Sequence, residues 1–331
     1  MKHVTRLALM VGVAAGALWA VSGDRGYTQA ADPNAAPNPY KMQDNWLQLP
    51  EGRQLGGAIK VQVDHSDAKS IWVFDRCSSN ACNPIQKFDS SGKFVRGFGA
   101  DMFNQPHGLY VDNEGNVWAA DNGARNGKGA IVVKFSPTGQ VLMTLGKAGM
   151  PGNAEGFFNG ASSVVVAPNG DIFVGDGHGG NTNDRVVKFD RSGKQIATWG
   201  KHGKGQGEFD QLHGIAMDSQ GRIFVADRGN SRVQIFDSNG KFVAEWKQFG
   251  RPSDVSIDKN DVIYVADDQS NESRNPGFKT GIRIGSAKDG KVTAFIPTPE
   301  AESPEGVGFD DAGNVYGSWT GKMAVRRWTK G

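Results

Sequence analysis

The chain is short of cysteine, of net charge and of long apolar runs. Only Cys77 and Cys82 occur among 331 residues. A zinc ribbon or finger needs further Cys or His at fixed spacing, so in an exported protein this Cys-x4-Cys pair reads as a local disulfide. The formal charge is +2, and beyond residue 30 the chain carries 34 basic and 34 acidic residues. A nucleic-acid partner is not expected, because phosphate neutralisation requires a basic surplus or stripe. One apolar run stands out, Leu7 to Val21, behind Lys2, His3 and Arg6. It falls short of the roughly 18 to 20 residues that span a bilayer and, with the polar stretch ending at Ala30, reads as a signal peptide over residues 1–30. On that reading the protein is expected in the periplasm or outside the cell, with no membrane attachment after cleavage; the alternative is an uncleaved signal anchor. Residues 31–45 are rich in Pro, Asn and Ala and are expected to be a flexible linker.

Glycine is abundant, 46 residues, about twice its usual share of roughly 7%. It punctuates a repeat. One phrase recurs six times: Lys69–Asp75, Gly115–Asp121, Gly170–Asp176, Gly221–Asp227, Asn260–Asp267 and Gly313–Trp319. Each is preceded by a short apolar stretch, as in Gly108–Asp112 and Gly214–Asp218, and most are followed by two more, as in Arg232–Phe236 and Phe242–Trp246. Alternating apolar and polar positions, β-branched and aromatic residues and Gly/Asn/Asp turns all argue strand. Six units of four short strands predict an all-β, six-bladed propeller of antiparallel blades over residues 46–331, since each blade buries its faces only against its neighbours. The last repeat runs out after its third strand. Trp46–Leu49 stands where a missing outer strand would be, so an N-terminal strand is expected to close the ring.

Aligning the repeats on the Asp that ends the inner strand (Asp112, Asp218, Asp258, Asp310), the residue five positions earlier is His107, His213, Ser253 and Glu305. The third repeat gives Ser162. His107, His213 and Glu305 therefore open the inner strands of alternate blades, roughly 120° apart around a six-bladed ring. Two His and one carboxylate with a fourth position open make a candidate site for zinc or another divalent transition metal. His3, His65 and His202 share no such position and are read as surface residues. Strands within a blade are antiparallel, so residues just after the recurring Asp of the second strand surround the same mouth. These are Arg76, Asn122, His178, Arg228 and Asp268. The recurring Asp75, Asp121, Asp176, Asp227 and Asp267 are expected to cap turns. Arg76 and Arg228 are candidates for holding a substrate carboxylate, which a guanidinium fork grips by two oxygens; the alternative is pairing with a neighbouring Asp.

Gly200–Phe209, Leu212–Ile215 and Val225–Phe236 resemble NHL repeats, and the likeness runs from residue 55 to 328. Val73–Arg76, Gln105–Leu109, Gly175–His178, Gln211–Gly214 and Val225–Arg228 also resemble the peptidyl-α-hydroxyglycine α-amidating lyases. That resemblance implies a six-bladed propeller with a catalytic zinc in its channel, cleaving peptidyl-α-hydroxyglycine to a peptide amide and glyoxylate. The chain departs from the family at four positions. It has Glu305 for a third His, His178 for a catalytic Tyr, Ser303 for a Met, and Gly306 for the acidic residue that helps hold a structural calcium near the carbonyls of Val63 and Leu109. The calcium and the exact substrate are thereby left open.

Two readings follow. In the first the protein is a monomeric metal-dependent lyase acting on a small-molecule or peptide substrate, with Arg76, His178 and Arg228 as catalytic residues and His178 exchanging a proton near neutral pH. In the second it is a non-catalytic propeller whose mouth binds a peptide, a glycan or another exported protein. A calcium-dependent lactonase fits less well, because a hard cation favours an all-oxygen set.

Overall fold

The computed structural model describes, apart from Met1, residues 32–67, 69–77, 82–299 and 302–331. The signal peptide expected over residues 1–30 lies outside them. Among the described residues, β1 (Tyr40–Gln43) is followed by five complete four-stranded sheets. Blade 1 is β2 (Ala58–Val63), β3 (Ile71–Asp75), β4 (Ile85–Phe88) and β5 (Phe94–Phe98). Blade 2 is β6 (Pro106–Val111), β7 (Val117–Arg125), β8 (Lys128–Phe135) and β9 (Val141–Gly146). Blade 3 is β10 (Ala161–Val166), β11 (Ile172–Asp176), β12 (Arg185–Phe189) and β13 (Gln195–Trp199); blade 4 is β14 (Leu212–Met217), β15 (Ile223–Asp227), β16 (Arg232–Phe236) and β17 (Phe242–Trp246). Blade 5 is β18 (Pro252–Ile257), β19 (Val262–Asp267), β20 (Gly281–Ser286) and β21 (Val292–Pro297). In blade 6, β22 (Gly306–Phe309), β23 (Val315–Trp319) and β24 (Ala324–Lys330) are completed by β1, which pairs antiparallel with β24 from Tyr40↔Lys330 to Gln43↔Arg327. The fold is the expected six-bladed propeller.

The closing strand is not where the apolar pattern put it. Tyr40–Gln43 lies inside the stretch read as a linker, and Trp46–Leu49 is not an outer strand of blade 6. Outer strands here are largely exposed, so apolar content is a poor guide to them. Trp46 instead plugs the core between blades 6 and 1, its ring 5.5 Å from that of Tyr316, while Gln48 bridges to Lys93 of the blade 1 hairpin. Residues before β1 are also tied down. Asn34 donates to the Gly277 carbonyl and accepts from Lys279 N and the buried Arg283.

Local chemistry makes the repeat. In blades 2, 4, 5 and 6 the Asp ending the inner strand accepts backbone N–H bonds two and four residues on, as Asp112 does from Glu114 and Asn116 and Asp218 from Gln220 and Arg222. This side-chain turn is closed by a residue of positive φ, Gly115 at 77° and Gly221 at 74°, a conformation glycine adopts without a Cβ clash. Between blades the faces interlock through large apolar residues, such as Trp72, Phe74, Leu109 and Phe135 at the first junction. The Cys77–Cys82 disulfide is formed.

Candidate functional site

The inner strands begin irregularly, and the site is built on that irregularity. Each of the first five inner strands starts with a register break against its neighbour: between Ala58 and Lys60, Pro106 and Leu109, Ala161 and Ser163, Leu212 and Gly214, and Pro252 and Asp254. A bulge re-aims the skipped side chain. The skipped residues are Ile59, His107 with Gly108, Ser162, His213 and Ser253. The segments leading into these bulges are pinned by the buried Asp of the second strand. Asp121 accepts from Gln105 N and Gly123 N, and Asp227 from Asp210 N. These Asp residues hold turns, as expected.

His107, His213 and Glu305 meet. His107 Nε2 lies 3.2 Å from His213 Nε2, which lies 3.2 Å from Glu305 Oε1. His178 joins them. One ligand-type atom from each of the four residues falls within 4.8 Å of the others, and the His178 ring centroid stands 4.4 Å from that of His107 and 4.7 Å from that of His213. The sequence reading had His178 as a proton carrier beside the site rather than a member of the cluster. The loop that holds it explains the difference: Gly177 N and His178 N both donate to the Gly160 carbonyl, folding the chain back over the channel.

The cluster's protonation follows from its outer contacts. His107 Nδ1 is 2.7 Å from the Ser162 carbonyl and His213 Nδ1 is 2.5 Å from that of Ser253. Carbonyls only accept, so each Nδ1 carries the hydrogen and each Nε2 presents a lone pair inward. Two lone pairs and a carboxylate oxygen thus converge with no hydrogen between them. A divalent transition metal satisfies such a donor set, and the carbonyl-bound Nδ1 is the usual support of a metal-binding imidazole. Burial, with the neighbouring histidines and arginines, keeps His107 and His213 well below their ordinary imidazole value; burial and Arg228 lower His178 to about 4. An unfolded chain would therefore take up protons between pH 6.5 and about 4 that the native metal-free protein does not, so acidification through that window favours unfolding. Thermal melts of metal-free protein at pH 7 and pH 5 should show a fall that is smaller in His178→Gln.

The two arginines divide. Arg228 is buried and its NH1 sits 3.5 Å from Asp268 Oδ2 and 3.7 Å from Glu305 Oε1, with NH2 3.4 Å from Gln211 Oε1. Its fork holds Glu305 rather than facing outward. Burial together with the Glu305 charge raises the Asp268 carboxyl well above the usual range. Among the described residues the Arg76 side chain makes one hydrogen bond, from Nε to the Pro106 carbonyl just before His107.

A signal that the sequence reading passed over is the glycine after each of the three aligned residues. A Cβ on Gly108 would stand 2.6 Å from Ser162 O, one on Gly214 3.0 Å from Asp254 Oδ1, and one on Gly306 2.7 Å from Ile59 O. The next blade's inner strand passes against each glycine, so an acidic side chain at position 306 has no room. The sequence reading left His65 on the surface. It is half-buried against Phe309 and lines a cavity of about 490 Å³ at the opposite end of the channel.

The sequence matches the NHL repeat over residues 103–127 and 209–236. These are the segments that carry His107 and His213. Over 196 residues it is 33% identical to human NHL repeat-containing protein 3, covering 58% of this chain and 54% of that protein. It is 35% identical over 142 residues to a probable peptidyl-alpha-hydroxyglycine alpha-amidating lyase of Caenorhabditis elegans, covering 42% of this chain and 38% of the relative. With a peptidyl-glycine alpha-amidating monooxygenase B of Xenopus laevis it shares 31% identity over 241 residues, 69% of this chain and 26% of the other. The chain thus spans about half or less of the length of these relatives. Among solved structures, a streptogramin B lyase superposes with a TM-score of 0.57 at 16% identity over 88% of this chain and 98% of that one. A putative gluconolactonase gives 0.58 at 14% identity over 87% and 97%. Such identities speak for the propeller fold alone.

Proposed function

From a six-bladed propeller whose NHL repeats bear both buried histidines and whose sequence is similar in part to amidating lyases, we propose an exported, metal-dependent lyase acting on a small carboxylate-bearing hydroxy substrate of the peptidyl-α-hydroxyglycine type. The observation that carries this reading is the convergence of His107 Nε2, His213 Nε2 and Glu305 Oε1, each histidine locked by a carbonyl on Nδ1. These three, with His178 beside them, would hold zinc or another divalent transition metal, which when bound lowers the pKa of a hydroxyl. In the reaction the substrate's C–N bond breaks, its hydroxyl loses a proton to leave glyoxylate, and the departing amide nitrogen gains one. Arg76, whose terminal nitrogens have no hydrogen-bond partner among the described residues, would orient the carboxylate. Arg228 would keep Glu305 turned into the channel. Calcium is not part of the proposed site: Gly306 offers no carboxylate, and the Lys60 ammonium occupies the channel interior. The Cys77–Cys82 bridge supports an oxidising compartment, periplasmic or secreted.

One observation favours a second reading. If His178 binds the ion as a fourth protein donor, the tetrahedron is closed, and closed sites are structural. The protein would then be a non-catalytic propeller that binds a peptide, a glycan or an exported partner. Metal analysis of protein purified without an affinity tag, followed by a glyoxylate assay with an N-acyl-α-hydroxyglycine, separates the two. Metal-loaded protein that yields no glyoxylate supports the second. On the first reading Arg76→Lys keeps the metal and raises KM about tenfold or more, because a point charge loses one of two charge-assisted bonds worth about 1.5–3 kcal/mol each.

A further inference from the structure

Beneath the histidines lies an ion pair that no catalytic role uses. Lys60 of blade 1 and Asp254 of blade 5 are both buried and bonded to each other across the channel. With His107, His213 and Glu305 they line one void of about 10 Å³, so the pair forms the floor of the cluster. Asp254 also accepts the Val307 amide of blade 6 at 2.8 Å. The residue before it, Ser253, holds His213 Nδ1 with its carbonyl, and its single hydroxyl hydrogen is shared between the Ala266 carbonyl at 3.1 Å and the Pro304 carbonyl at 3.2 Å. Two consecutive residues therefore touch His213 on one side and both flanks of Glu305, at Pro304 and Val307, on the other.

We propose that Asp254, charge-balanced by Lys60, is a positioning residue that sets the spacing of His213 and Glu305 across the gap between blades 4 and 6. The proposal rests on the metal reading above only for its ligand, not for its geometry. The opposite charges matter because an unpaired buried carboxylate would be expelled or protonated, and the bond to Val307 N would weaken with it. Removing one partner alone would leave such a charge. Replacing both by apolar residues of similar size removes the tie without that penalty, and is often tolerated.

The test uses the full chain with cobalt(II) as probe. In Lys60→Met/Asp254→Leu, cobalt affinity should fall about 10- to 100-fold, the range for lost outer support of metal ligands, and the visible absorption of the bound ion should change shape. Lys60→Met/Asp254→Asn, which keeps an acceptor for Val307 N and leaves no unpaired ammonium, should restore most of both. A metal-independent readout accompanies these: the His213 Nδ1–H resonance of the metal-free protein should be sharp in the parent and broadened or lost in the double variant. A double variant that melts lower yet keeps parental cobalt affinity and spectrum overturns the proposal and leaves the pair a brace of the ring. If the parent binds no cobalt, the metal reading fails, and the positioning role stands or falls on whether the resonance is lost or retained.

Discussion

On the proposed metal-dependent reading, replacing His107, His213 or Glu305 singly with Ala should abolish most metal binding and all measurable turnover while leaving a folded six-bladed ring. The three side chains project from bulges and blade starts rather than from paired ladder positions, so the strand pairing of every blade survives their loss. What is lost structurally is small. His107→Ala forfeits a bond to the Ser162 carbonyl, worth about 1 kcal/mol net, together with some packing. On the proposed three-donor site, with His178 not a ligand, the functional loss is large, because two remaining protein donors cannot hold a defined coordination geometry. Glu305→Gln is the informative companion: it keeps the shape beside Arg228 but removes the charge facing His213. Metal stoichiometry by elemental analysis and melting of the metal-free forms measure the two consequences separately. If the triple Ala variant binds zinc as tightly as the parent, the ion sits elsewhere and the non-catalytic reading is the better one.

Why three of the four clustered residues could be found by counting, and the fourth could not, is a matter of register. His107, His213 and Glu305 keep a constant distance from the Asp at the strand's far end because the same length of inner strand lies between them in blades 2, 4 and 6. His178 follows its own Asp by two residues instead of one, in a loop whose insertion, Gly177–Asp184, folds back onto Gly160. No spacing rule predicts where such a loop places a side chain. Arg228 was legible as a mouth residue, but whether its fork faces substrate or protein depends on Asp268 and Glu305, which come from other blades. The bulges were invisible for a related reason: the apolar alternation of Leu212–Met217 looks continuous, although His213 is skipped in the pairing. The closing strand was misplaced by the opposite error. Trp46 and Leu55 are apolar because they fill the junction of the first and last blades, not because they lie in a strand there. The strand itself, Tyr-Lys-Met-Gln, is exposed and polar enough to pass for a tether.

Starting the chain at Asp44 instead of Asp32 should consequently cost far more than trimming a flexible arm. It removes β1, leaves β24 as an unpaired edge, and frees Arg283 from Asn34. Ladder bonds are worth about 1 kcal/mol net each and a bond to a buried charged group somewhat more, so the loss amounts to several kcal/mol. In a domain of this size that is a fall of about 10 °C or more in Tm. The exposed edge should also self-associate, which light scattering would register. Trp46→Ala in the otherwise intact chain is the control, since it takes away the plug between the blades while leaving the ring closed. It should lower Tm through lost packing without promoting association. A truncated chain that melts with the parent and stays monodisperse would mean that β1 does not close the ring in solution, and that the packing of blades 6 and 1 around Trp46 suffices to hold them together.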